Sequence, residues 1–134
     1  MTSTVTYSGE LRTLATHVKS GNSIITDAPT DNHGKGENFS PTDLVATALS
    51  SCMLTVMGIK ANQKGINIDG MESEITKIMA SNPRRIAEVQ IKITMPAGNY
   101  SNEEKKFLEN VARTCPVAKS VHPDMVQQVE FVWQ

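Results

Sequence analysis

Two cysteines carry most of the chemistry this sequence could perform: Cys52 and Cys115, 63 positions apart. A thiol reacts as its thiolate, which attacks electrophiles and exchanges with disulfides. Cys52 lies in "SPTDLVATALSSCMLTVMGIKA", residues 40–61, a stretch that reads as a helix apolar on almost every side. Two readings of it stay open. Free cysteines are among the most buried residues and commonly act as small hydrophobes. Alternatively Cys52 is a nucleophile, which requires a nearby cation such as an arginine, because three turns into a helix the dipole no longer reaches it. Cys115 directly precedes Pro116. That places it at or near the cap of a new helix, where backbone N–H groups favour a thiolate; a buried connector residue is the alternative. Together the two could attack and resolve, provided the fold brings their Cα atoms within the ~4.4–6.8 Å a disulfide spans.

Other chemistries find less support. His17, His33 and His122 are scattered and show no paired ligand spacing with each other or with the cysteines, so no metal site is expected. A serine hydrolase would need a G-x-S-x-G elbow, which does not occur. "GKGEN", residues 34–38, lacks the spacing and the helix-borne Lys-Ser/Thr of a phosphate loop, and no cofactor is implied.

The whole chain sets further bounds. Its 134 residues make one domain, 1–134, the simplest organisation. Hydrophobic residues are 39% and charged residues 20%, an ordinary globular composition. A net charge of −1 provides no electrostatic footprint for nucleic acid or an anionic membrane surface. "MTSTVTYSGEL" has neither a basic start nor an apolar core, and no uninterrupted apolar run approaches the ~18 residues of a membrane span. Two cysteines are too few for a secreted disulfide scaffold, so a cytoplasmic location is expected, where a disulfide would be transient and chemical.

The elements that must position the thiols follow from pattern. "TVTYSGEL" and "TLATHVKSGNSIITD" read as three short strands, with a turn signal at Gly21-Asn22. "APTDNHGKGENF" (28–39) is polar and aperiodic, about twice the usual ~4–6 residues of a connection, and is either a functional loop or a plain crossover. Ser40, Pro41 and Asp43 announce the first helix with a cap, a first-position proline and a Ser-x-x-Asp box. Phe39 and Leu44 occupy hydrophobic-staple positions. The helix is predicted to run to about Asn62, stopped by Gly65. "MESEITKIMA" and, after a turn at "SNPRR", the cleanly alternating "IAEVQIKITM" read as antiparallel strands. A second helix begins at Ser101, boxed by Glu104, with Phe107, Leu108 and Val111 inward and "EEKK" in water. "VQQVEFVWQ" closes the chain as a strand, giving an α+β domain. Because the first helix has almost no polar face and one sheet covers only one side, a partner chain is expected to cover the rest, making an obligate homodimer.

"FSPTDLVATALSSCMLTVM" followed much later by "TCPVAKSV" resembles the OsmC/Ohr family, the osmotically inducible and organic-hydroperoxide-resistance proteins. The specific part is Pro41 eleven positions before Cys52, together with the late Cys115-Pro116. The resemblance implies an OsmC-like fold, with antiparallel sheets around a long buried central helix, in an intertwined homodimer. It implies thiol-dependent reduction of organic hydroperoxides, with Cys52 peroxidatic, Cys115 resolving, and an external dithiol as reductant. The family also uses an arginine to stabilise the thiolate, for which Arg12 is the match, and a glutamate to hold that arginine. Here the sequence departs, because the glutamate that follows the proline in the better-known branches is Thr42. Asp43 is adjacent but fits the capping box, and Glu37 could reach Arg12 from the preceding loop. A divergent branch follows, whose alternatives are a non-enzymatic dimer binding a small apolar ligand or a redox sensor with little turnover.

Overall fold

A computed structural model describes all 134 residues, Met1–Gln134. Its backbone divides into two compact units, residues 1–45 and 46–134. The first unit is a meander of β1 (Ser3–Gly9), β2 (Arg12–His17) and β3 (Ser23–Asp27), paired antiparallel in that order. The β1–β2 turn is tight, with Glu10 at φ 56 and Leu11 at φ 61, both in the left-handed region that side chains seldom enter. Local bonds hold Leu11 there. Its N–H donates to the Tyr7 hydroxyl (3.2 Å), and its carbonyl accepts from the Ala28 N–H (3.0 Å). The β2–β3 turn is closed by His17 N–H to the Asn22 carbonyl at 2.8 Å.

The helix α1 (Pro41–Gln63) begins at the expected box: the Asp43 N–H donates to Ser40 Oγ at 3.1 Å, and the Ser40 N–H returns to Asp43 Oδ2 at 2.9 Å. The staple does not close, because Phe39 remains 53% exposed. Gly65, at φ 67, ends the helix by supplying the left-handed residue a C-terminal cap favours. Along α1, Ala46, Leu49, Met53, Met57 and Ala61 recur every three or four residues as a buried stripe. Although no uninterrupted apolar run reaches membrane-span length, α1 has the overall length and composition of a membrane span, with a mean hydropathy of 1.6. Interspersed serines and threonines break the runs without lowering the average much, and the buried stripe belongs to the core of the second unit.

That unit holds a sheet ordered β4-β5-β6, from β4 (Glu72–Ala80), β5 (Arg85–Thr94) and β6 (Val126–Val132). β5 is central, and the alternation read from its sequence is realised: Val89, Ile91, Ile93 and Met95 are buried. The expectation of antiparallel sheets needs one correction. β4 and β5 are antiparallel, but β6 lies parallel to β5, with Ile91 opposite Val129 and Ile93 opposite Phe131. The chain returns to the start of the sheet through α2 (Asn102–Ala112) and α3 (Pro116–Ser120), the helical crossover a parallel pair requires. α2 starts with the full Ser101/Glu104 box and buries Leu108 and Ala112. Lys105 of "EEKK" is not simply solvated: its ammonium lies 5.6 Å from the Trp133 ring centre.

Candidate active site

The 46–134 unit brings the two thiols together. Pro116 fits the first turn of α3, so the residue before it caps the helix, and that residue is Cys115. Its sulfur accepts the Ala118 N–H at 3.3 Å. Cys115 is buried, and Cys52 is the neighbouring ionisable group that acts on its thiol. Burial pushes the Cys115 thiol up; the Ala118 N–H opposes this, and the neighbouring Cys52 adds to the rise. The cap is therefore present, but desolvation outweighs it, and Cys115 stays a protonated thiol at neutral pH.

Cys52 is half-buried, at the margin of the α1 stripe. The same shoulder of the helix carries Ala48, Val56 and Ile59, spaced by three or four residues, and Ile59 is 51% exposed. An apolar shoulder of this kind suits an alkyl group better than a small polar oxidant.

The 1–45 unit holds a second cluster, built on the β2–β3 register that sets Arg12 opposite Asp27. Arg12 Nε donates to Asp27 Oδ1 at 2.7 Å, and Nη2 donates to Asp27 Oδ2 at 3.0 Å. Nη2 also donates to Glu37 Oε1 at 3.1 Å. Asn38 Nδ2 donates to Asp27 Oδ2 at 3.0 Å. The loop 28–39 delivers Glu37 and Asn38 by folding back on itself. The Asn32 and Gly34 N–H groups donate to the Pro29 carbonyl at 2.9 Å, and the Gly36 N–H donates to the Ala28 carbonyl at 3.2 Å. Gly34 is obligatory here, since a Cβ would sit 1.7 Å from the Ala28 carbonyl oxygen. Asp27 and Asn38 are absent from the residues singled out by sequence; their signal lies in the strand register, which a single sequence leaves undetermined.

Arg12, and after it Asn38, hold the Asp27 carboxyl at about 2, against an ordinary value of 3.8. A carboxylate depressed by folding stabilises the fold fully above its unfolded value and ceases to do so as pH falls through its folded value. The stability gap between the protein and Asp27→Asn is therefore expected to be constant above about pH 4 and to close toward pH 2. Denaturant midpoints taken at intervals between pH 6 and pH 2 check this; a gap that persists unchanged at pH 2 contradicts it.

The family model of the OsmC-like proteins matches residues 34–130. The chain belongs to the OsmC-like family. Among solved structures, a candidate osmotic stress induced and detoxification response protein from Psychrobacter arcticus is 56% identical, with a TM-score of 0.94 over 98% of this chain and 95% of that one. An organic hydroperoxide resistance protein OsmC from Legionella pneumophila shares the fold at 14% identity, with a TM-score of 0.73 over 100% and 97% of the two chains. So does a candidate organic hydroperoxide resistance protein from Vibrio cholerae, with captopril bound in one of its active sites, at 15% identity and a TM-score of 0.74 over 98% and 91%. None of the curated proteins compared matches the chain. Membership of the OsmC-like family supports a redox or stress-defence role, and the α+β architecture is that of OsmC-like structures. Within this OsmC-like chain Thr42 is hydrogen-bonded to Ser40 Oγ (3.1 Å), and the carboxylates on Arg12 come from β3 and the loop.

Proposed function

We propose that this protein reduces organic hydroperoxides, with Cys52 as the attacking and Cys115 as the resolving thiol, as a cytoplasmic homodimer in oxidative-stress defence. The observation that carries the reading is that a half-exposed thiol on an apolar helix shoulder neighbours a buried, protonated one at a helix cap. The Cys52 thiolate attacks the terminal peroxide oxygen. The O–O bond breaks, the alkoxide leaves and takes a proton to become the alcohol, and Cys52 becomes a sulfenic acid. The Cys115 thiol then attacks the sulfenic sulfur; an S–S bond forms and water leaves. An external dithiol reduces that disulfide by exchange and is itself oxidised. Arg12 supplies the positive charge that favours the Cys52 thiolate, and Glu37 helps to hold it.

Exposed apolar surface supports the homodimer. In the 1–45 unit Val5, Tyr7, Leu14, Ile24 and Ile25 are all exposed, and α1 adds Ile59. Val5 and Ile24 flank Ala15 on one face of the sheet and Leu14 pairs with Ile25 on the other, so apolar side chains stand exposed on both faces, as they would where a partner covers them. A dimer by light scattering at micromolar concentration is expected; a monomer overturns that part.

The chemistry is tested by intact-protein mass after one equivalent of cumene hydroperoxide is added to the reduced protein. Loss of two hydrogens within seconds is expected for the unmodified chain. Gain of one oxygen is expected for Cys115→Ser, where the sulfenic acid has no partner. An unchanged mass over minutes in both overturns the peroxidase reading and leaves Cys52 as a core residue.

A further inference from the structure

We infer that Asp27, rather than the exposed Glu37, is the positioning residue of the site: it sets the direction in which Arg12 presents its charge. The inference rests on the role proposed above for Arg12 toward Cys52.

Geometry, burial and support all separate the two carboxylates. Asp27 takes Arg12 at two points, through Nε (2.7 Å) and Nη2 (3.0 Å), whereas Glu37 takes Nη2 alone (3.1 Å). Two parallel N–H···O bonds fix the plane of a guanidinium; one bond fixes a single nitrogen and leaves the plane to swing. The Asp27 side chain is 1% exposed and that of Glu37 65%. Water and salt compete for Arg12 at Glu37 and hardly at Asp27. Asp27 is itself immobilised. Its backbone N–H donates to the Phe39 carbonyl at 3.1 Å, Asn38 donates to its Oδ2, and the β2–β3 register places its Cα opposite that of Arg12. Glu10, a further carboxylate that feels the Arg12 charge, is engaged by Lys35 at 2.8 Å. Nε and Nη2 are thus committed to carboxylates, and Nη1 is the guanidinium nitrogen outside these bonds. A carboxylate on β3 takes the orienting task that the family motif assigns to the position of Thr42.

The test is the rate of alkylation of Cys52 by iodoacetamide as a function of pH, in a Cys115→Ser background so that only one thiol reports. Charge and geometry give Asp27→Asn opposite signs. Removing a negative charge beside Arg12 would, through Coulomb attraction alone, favour the Cys52 thiolate and move the profile to lower pH. Loss of positioning moves it to higher pH. We expect a shift upward of about one pH unit, equivalent to roughly tenfold slower alkylation on the acid side of the midpoint. Asn38→Ala leaves every charge in place and is expected to shift the profile the same way by a smaller amount. It also keeps the test decisive if circular dichroism shows Asp27→Asn unfolded. Glu37→Gln, which removes a single bond to a solvent-exposed carboxylate, is expected to shift the profile clearly less than Asp27→Asn. If Arg12→Ala leaves the profile unchanged, Arg12 does not serve Cys52, and the proposed role of Arg12 fails together with this inference. If Arg12→Ala shifts the profile upward but Asp27→Asn and Asn38→Ala do not, or if Glu37→Gln shifts it as far as Asp27→Asn, Arg12 keeps its role and Asp27 loses the one assigned here.

Discussion

Cys52→Ser is expected to lower the steady-state consumption of cumene hydroperoxide by about a thousandfold or more, which is the scale on which loss of a catalytic nucleophile is felt. A serine hydroxyl at this position stays protonated at any working pH and lacks the nucleophilicity of a thiolate. The comparison that gives the result meaning is Cys115→Ser. That variant keeps the attacking thiol, so it should consume one equivalent of hydroperoxide per chain at close to the original rate and then stall in dithiol-driven turnover. Coupled turnover assays and single-turnover mixing separate the two. Equal, undiminished turnover in Cys52→Ser would remove the peroxidase reading whatever else the site shows. Because Cys115 is buried at a cap and raised by that burial, it is poorly suited to make the first attack. The division of labour between the thiols therefore follows from their surroundings as well as from their order in the chain.

Leu49→Ala is expected to produce the largest loss of stability among single truncations on α1. Leu49 has no exposed surface and lies one turn before Met53 in the buried stripe. Removing its side chain costs about 3 kcal/mol, as transfer free energy and cavity combine. For a chain of this size that lowers Tm by roughly 10 °C. Thermal unfolding followed by circular dichroism at a fixed protein concentration checks it, the concentration being held constant because association also raises Tm. A fall of less than about 3 °C would mean that the neighbourhood of Leu49 collapses to fill the space, and that the α1 stripe is packed less tightly than its burial indicates.

Local rules made much of this protein legible before any coordinates. The Ser40/Asp43 and Ser101/Glu104 boxes are written in three residues each, and both helices begin where those boxes stand. Gly65 and Pro116 act through their own backbone restrictions, so the end of α1 and the start of α3 follow from residue type. The inner face of β5 is a period of two in "IAEVQIKITM", which any strand must express. Cys115 at a helix cap belongs to the same class of information.

The tertiary structure decided what depends on residues distant in sequence. Alternation in "VQQVEFVWQ" shows which side chains face inward but carries no sign of strand direction. That β6 runs parallel to β5 is set by where the α2–α3 crossover returns the chain. The Gly21-Asn22 signal marks a turn, yet the register places the turn's centre at Lys19-Ser20; two residues of slippage are enough to hide that Arg12 faces Asp27. Loop 28–39 looks like a loose crossover in composition, and only its closed backbone bonds bring Glu37 to the guanidinium and Asn38 to Asp27. The sign of the shift at Cys115 was likewise beyond sequence. A cap is a local feature, but the desolvation that outweighs it comes from the core packed around the sulfur. By itself the sequence determined the helix starts and stops, the faces of the strands and the identity of two reactive residue types, because those depend on neighbours a few positions away. The meeting of thiol with thiol and of arginine with aspartate was decided by the tertiary structure, because each is a contact across a turn or a core whose length and register no local rule specifies.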